Sequence, residues 1–233
     1  MIIRTFFASS AVLVALALTR PLPAEETKSA LEADPAGWTD IAPGKDLKGW
    51  TRLPVGGKVH QDVEVWKFDE KTGVLTCLGH LPPPAEGKKG GGSHEFFRYD
   101  KELADFIFHV EFRFIDPDRK GWNSGVYARN SADGKVWHQA QVGNKSGGYF
   151  FGSTPDADGK NKGRNFKATE NRVKGVGEWT TYEITAKGDK MTLWVNGAVT
   201  SEWPELKVMK GYIGLEAEFH HIEFRNIKLK ELK

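Results

Sequence analysis

Along Phe106-Ile107-Phe108-His109-Val110-Glu111-Phe112-Arg113-Phe114 every even-numbered residue is apolar, and the odd ones turn polar after Ile107. A period of two marks a strand with one buried face. Thr180 to Ala186 alternates in the same way through Tyr182 and Ile184. Met191-Thr192-Leu193-Trp194-Val195 follows after the turn Lys187-Gly188-Asp189-Lys190, and Asn196-Gly197 supplies a tight-turn signal behind it. Ile213 to Phe219 alternates again. Ile222 to Leu229 gives a last strand whose phase slips at Arg225-Asn226, as a bulge would cause. Helical periodicity is hard to find. The pattern predicts an all-β fold, an antiparallel β-sandwich.

Two stretches interrupt the strands and read as long loops. Gly79 to His94 holds three consecutive prolines and Gly90-Gly91-Gly92, and Thr154 to Gly177 is rich in Gly, Asn and Lys. Such loops serve as lids or binding loops, or are merely solvated. Residues 1–24 read as an export signal: Arg4 is the basic start, Phe6 to Leu18 is apolar or small, and Leu22-Pro23-Ala24 ends on a small residue. The apolar run is short of the roughly 20 residues of a spanning helix. The expected product is therefore exported, periplasmic or extracellular, with no membrane attachment once processed. Residues 25–36 are charged and Ala-rich, a linker, and 37–233 form one domain.

Composition narrows the partners. The 33 basic residues exceed the 31 acidic ones by two, and Arg4 and Arg20 in the signal account for both, so the processed chain is neutral. Neutrality argues against a nucleic-acid binder and against a polybasic membrane-surface protein. Cys77 is the single cysteine, which excludes an intramolecular disulfide and reads as a buried thiol.

Alternation also sorts side chains by face. With Val126 and Ala128 in the core, Tyr127 and Arg129 face outward with Asn123 and Gly125. With Ala140 and Val142 in the core, Trp137, Gln139 and Gln141 face away from it. His109, Glu111 and Arg113 share one outward face, and Tyr212, Glu216 and Glu218 share another. If these strands lie in one sheet, its exposed face collects acids, arginines, amides and aromatics. That mixture suits a sugar, whose C–H faces stack on rings and whose hydroxyls bond amides and charges. An ordinary solvated sheet would carry the same polar residues, although Trp137 and Tyr127 weigh against it.

Other motifs are weaker. His220-His221 diverge on a strand and cannot share a metal. Asp156-Ala157-Asp158-Gly159 lacks the later ligands of a calcium loop and reads as a turn. Nucleophile elbow, phosphate loop, dinucleotide fingerprint and His-Glu-x-x-His are all missing, so no cofactor and no metal are expected.

Several segments resemble the 3-keto-disaccharide hydrolase family. Gly44-Lys45-Asp46-Leu47-Lys48-Gly49-Trp50 is similar to its "NGKDLSGW" start, and Trp66 with Gly73-Val74-Leu75 to its "W-x-x-x-x-G-x-L" pair. Asp105-Phe106 to Arg113 resembles "DFELRLEFR", and Asn123-Ser124-Gly125-Val126 resembles "NSGV". Gly177 to Ile184 is similar to "GEWNTYEI", and Glu223 to Ile227 to "EFRNI". The resemblance implies a concanavalin-like jelly roll with a sugar-binding face. It also implies cleavage of glycosides oxidised at C3, by elimination of the aglycone and hydration of the enone. Two departures stand out. Gln139 occupies the position of Glu in the family's "YEVQILD", and Glu216 the position of Gln in "GPIGLQ".

Elimination needs a base, a donor for the enolate oxygen and an acid for the leaving group. Glu216, Glu218 and Glu111 are the candidate catalytic carboxylates. Arg129, Arg113 and Gln141 are candidate oxyanion partners, and Asn123, Tyr127, Trp137 and Gln139 candidate substrate contacts. The expected partner is a carbohydrate, an oxidised glycoside. A retaining glucanase-like hydrolase is an alternative, since Glu216 and Glu218 are two apart on one strand, but the fuller Glu-x-Asp-x-Glu pattern is missing. A non-catalytic lectin-like module is the other.

Overall fold

The computed structural model describes residues 26–55, 58–82, 86, 93–118 and 122–233. Residues 1–24, expected as an export signal, and most of residues 83–92 lie outside these. Two antiparallel sheets face one another. The first runs β13 (Ala198–Trp203), β12 (Lys190–Val195), β11 (Thr180–Lys187), β6 (Phe106–Phe114), β15 (His221–Glu231), β4 (Val74–Leu78), β3 (Trp66–Asp69). The short β1 (Thr39–Asp40) pairs with β15. The second runs β10 (Asn161–Phe166), β9 (Gly147–Pro155), β8 (Trp137–Val142), β7 (Ser124–Asn130), β14 (Tyr212–Ala217), β5 (Glu95–Tyr99), β2 (Trp50–Pro54). The only helix among the described residues is α1 (Ala30–Ala33).

The even-numbered apolar residues of β6 point between the sheets, with Tyr182 and Ile184 of β11 beside them. Val126, Ala128, Ala140, Val142, Ile213, Leu215 and Ala217 meet them from the second sheet. Trp66 stacks on Phe97 across the layers at 4.7 Å. Fully burying each such side chain contributes about 1.5–3 kcal/mol. Cys77 is in this core, and burial pushes its thiol up to about 12. The expected slip in β15 is a bulge between Arg225 and Lys228, with Asn226 at a positive φ of 50°.

Two readings need correction. Within the stretch expected as a loop after Thr154, Asn161–Phe166 forms edge strand β10, paired in register with β9. Five of its six residues are exposed, so no buried face imprinted an alternation. Residues 26–36, expected as a linker, lie along the first sheet. Thr27 N donates to Gly197 O at 2.7 Å, and the Glu183 carboxylate accepts from the N–H groups of Ala30 and Leu31.

Candidate active site

The condition that all outward-facing strands share one sheet does not hold. β7, β8 and β14 are neighbours in the second sheet, whereas β6 lies in the first. Their outer faces are therefore opposite surfaces of the sandwich.

On the second sheet the alternation positions the side chains as expected. Val126, Ala140 and Val142 are in the core, while Tyr127, Trp137 and Gln139 line a cavity of about 520 Å³ on the other face. Two glycines open that face. A Cβ on Gly125 would lie 2.2 Å from the Gln139 amide nitrogen, so glycine lets Gln139 lean across β7 toward β14. A Cβ on Gly214 would lie 2.3 Å from the Phe96 ring. Phe96 thereby packs edge-on against Tyr127, with ring centroids 4.9 Å apart.

Glu216, on β14, receives the groups so placed. Tyr127 donates its hydroxyl to Oε1 at 2.9 Å, and Gln139 Nε2 donates to Oε2 at 2.9 Å. Ser124 Oγ donates to the Glu216 carbonyl, fixing β7 against β14 at this point. Glu218, just past the strand, accepts from Asn123 Nδ2, and Gln141 Nε2 in turn donates to Asn123 Oδ1 at 2.5 Å. His94, immediately before β5, places Nδ1 3.3 Å from an oxygen of each carboxylate. It is the only ion-pair partner of either among the described residues.

The electrostatics follow. Burial, reinforced by the Glu216 charge, raises the Glu218 carboxyl to about 8, against the opposing pull of His94 and Asn123. The hydrogen bond to Glu216 raises the His94 imidazole, which burial opposes. Burial and then the Glu216 charge keep the Tyr127 phenol firmly protonated. Such a site sets a carboxyl that holds its proton tightly beside a second carboxyl group and an imidazole. His94 Nδ1 and one oxygen each of Glu216 and Glu218 also lie within 4.8 Å of one another, a donor set compatible with a metal ion.

Asn123, Tyr127, Trp137, Gln139 and Glu216 line the cavity, with Gln141 and Glu218 bonded directly behind Asn123. Three expected residues are elsewhere. Arg129 adopts a positive φ of 51°, which turns its side chain out of phase. It is fully buried, donating to the carbonyls of Ala104 and Gly188 and to Asp105. Glu111 and Arg113 lie on the outer face of the first sheet, bonded to Arg225 and Glu223 at 2.7 Å each. Neither reaches the cavity. His94, Phe96 and Phe151 line it without having been expected. The only signal for His94 was its place at the end of the Gly- and Pro-rich loop.

Two packed antiparallel sheets with a cavity on one outer face define a jelly-roll β-sandwich of the concanavalin and galectin type. The family model described as a 3-keto-alpha-glucoside-1,2-lyase-like domain matches residues 37–230, and the chain belongs to that family. A putative glycosyl hydrolase from Parabacteroides distasonis ATCC 8503 superposes with a TM-score of 0.56 at 17% identity, covering 90% of this chain and 100% of its own. A second from the same organism gives 0.55 at 19%, covering 84% and 99%. Carbohydrate binding module CBM66 from Bacillus subtilis gives 0.51 at 16%, covering 77% and 94%. At these identities the likeness is one of fold. No curated protein matches the sequence.

With membership established, the two departures acquire a geometry. Gln139 and Glu216, the two positions at which the sequence departs from the motifs it resembles, bond one another.

Proposed function

We propose that this chain is an exported enzyme that cleaves 3-keto-glycosides by elimination followed by hydration. The observation that carries the reading is the pair Glu216 and Glu218. Both are buried, Glu216 at the cavity wall and Glu218 behind Asn123, and among the described residues their carboxylates meet amides, a phenol and one histidine. The C3 ketone acidifies the C2 proton. A carboxylate of the pair takes that proton, the C2 electron pair forms the C1–C2 double bond, and the C1–oxygen bond breaks. The departing aglycone oxygen takes a proton from an acid of the same cluster. Water then adds across the double bond, hydroxyl to C1 and hydrogen to C2, giving the free 3-keto sugar. No redox step is involved.

Tyr127 and Gln139 hold the Glu216 carboxylate in one orientation, and Asn123 does the same for Glu218. That preorganisation favours proton transfer at a fixed carbon. Trp137, edge-on to Phe151 at 5.1 Å, offers a ring wall for the sugar or its aglycone. Export rests on Arg4 and the apolar run Phe6 to Leu18. None of the described helices is long and apolar enough to cross a membrane.

The experiment is aglycone release from a 3-keto-glucoside and its unoxidised parent, side by side. The reading expects release from the oxidised substrate alone, with the intermediate enone trapped early. Release from the parent would replace it with ordinary hydrolysis. Tight binding without release from either would leave a binding module.

A further inference from the structure

We propose that His94, Glu216 and Glu218 bind a divalent transition cation, of the Zn²⁺ or Mn²⁺ class, at the wall of the cavity. Three observations carry this. The first is donor geometry. Nδ1 of His94 sits 3.3 Å from Oε1 of Glu216 and 3.3 Å from Oε1 of Glu218, and one ligand atom from each of the three residues falls within 4.8 Å of the other two. Ligand atoms each about 2.0–2.2 Å from one ion lie roughly 3–4.4 Å apart, a range that contains both His94 separations. One imidazole with two carboxylates is a mixed donor set that suits zinc or manganese rather than calcium or magnesium.

The second is how these donors are held. Glu216 accepts from Tyr127 and Gln139, and Glu218 from Asn123, which Gln141 supports in turn. Outer partners of this kind orient metal-binding carboxylates. All four are neutral, so they aim the carboxylates without cancelling their charge. The third is that only an imidazole, and no permanent cation, faces the pair among the described residues. Glu216 and Glu218 are 4% and 2% exposed, with no Lys or Arg paired to either among the described residues. Buried carboxylates are otherwise matched by a cation.

Three protein donors leave coordination positions open toward the cavity, where two vicinal oxygens of a sugar would fit. A 3-keto sugar offers its C3 carbonyl oxygen and C2 hydroxyl as such a pair. A cation there would withdraw electrons from the carbonyl and stabilise the enolate. A monodentate Glu218 keeps its second oxygen for the C2 proton. Only this catalytic role rests on the function proposed above; binding does not.

The test uses the processed full chain, stripped with a chelator and then titrated with Zn²⁺ or Mn²⁺ by calorimetry. One saturable site per chain is expected. His94→Ala and Glu218→Gln should each abolish it, and Gln139→Ala should weaken it about tenfold. Should a variant fail to fold, electron-spin-echo spectroscopy of Mn²⁺ on the unaltered chain reads the same claim, through nitrogen coupling from one imidazole. No saturable binding, equal binding in both variants, or no nitrogen coupling overturns the site. Turnover of a 3-keto-glucoside that survives stripping, with no metal bound, removes the cation's catalytic role and leaves the elimination reading intact. Stoichiometric binding without turnover of any 3-keto-glycoside keeps the site and removes that reading.

Discussion

The two outer faces of the sandwich carry the same residue type in opposite circumstances. On the first sheet, Glu111 accepts from Arg225 at 2.7 Å and Asn226 at 2.6 Å, and Arg113 pairs with Glu223. The Trp179 ring lies 4.5 Å from the Arg113 guanidinium and 4.0 Å from that of Arg225. Burial raises the Glu111 carboxyl, but bonds from His109, Asn226 and Arg225 outweigh it and hold it at about 2. On the second sheet Glu218 is displaced the other way, to about 8. Both carboxylates point away from the core by the same alternation. What separates them is the surroundings: a guanidinium closes the charge of Glu111 in a lattice of ion pairs, whereas Glu218 meets the Asn123 amide and the His94 imidazole and is buried beside the Glu216 charge. Outward direction alone does not make a site.

The largest test of that contrast is catalytic. Glu216→Gln and Glu218→Gln should each lower turnover of a 3-keto-glucoside by on the order of a hundredfold or more, the scale of acid–base groups. Glu111→Gln should leave turnover within about twofold. Steady-state rates for the three variants decide it, and an equal loss in all three would erase the distinction between the faces.

A sharper variant exploits the bonded pair. Gln139 and Glu216 share one hydrogen bond, so the double change Gln139→Glu with Glu216→Gln exchanges carboxylate and amide while conserving charge and contact. The double variant should recover at least about tenfold over Glu216→Gln alone, the signature of directly coupled residues. Additive losses would mean that the two positions are not interchangeable seats for one carboxylate.

Period-two alternation carried the fold because both sheets bury one face, and β6, β11, β12, β14 and β15 were legible from it. β10 was not, since an exposed edge strand needs no apolar face. The site was half legible, for related reasons. Tyr127, Trp137, Gln139, Gln141, Asn123, Glu216 and Glu218 come together because their strands are neighbours and keep phase. Arg129 was misassigned because one residue at positive φ reverses the sense of the alternation, and no neighbouring glycine announced it. Glu111 and Arg113 were misassigned because period two specifies a face but not which sheet owns it. His94 belongs to no strand, so only its approach to Glu216 and Glu218 in space reveals it.

The paired face should also show itself in acid. The Glu111 carboxyl is held at about 2, below its ordinary 4.5, so its contribution to stability is present above 4.5 and is lost as pH falls through 2. A shift of this size would correspond to roughly 3 kcal/mol, but Arg225 is partly exposed, and solvent screening reduces the expected figure to about 1 kcal/mol. Chemical denaturation at pH 5 and pH 2.5 should show a smaller acid loss in Glu111→Gln than in the unaltered chain. An identical loss would mean that Arg225 and Asn226 contribute nothing net.

The smallest effect is expected where the contact pattern is densest. Arg113 and Glu223 meet at 2.7 Å, but their side chains are 33% and 20% exposed, so water already solvates much of each charge. Pairs of this kind contribute about 0.2–1 kcal/mol, because fixing two long side chains offsets most of the Coulomb gain. Stacking of Arg113 on Trp179 adds about 0.5–1 kcal/mol at an exposed position. A double-mutant cycle of Arg113→Ala and Glu223→Ala should therefore return a coupling of a few tenths of a kcal/mol, falling further in high salt. Turnover should not change. A coupling of several kcal/mol would mean that the ion-paired face is a desolvated network in its own right, and the contrast with the cavity face would then rest on partner charge alone rather than on partner charge and solvent access together.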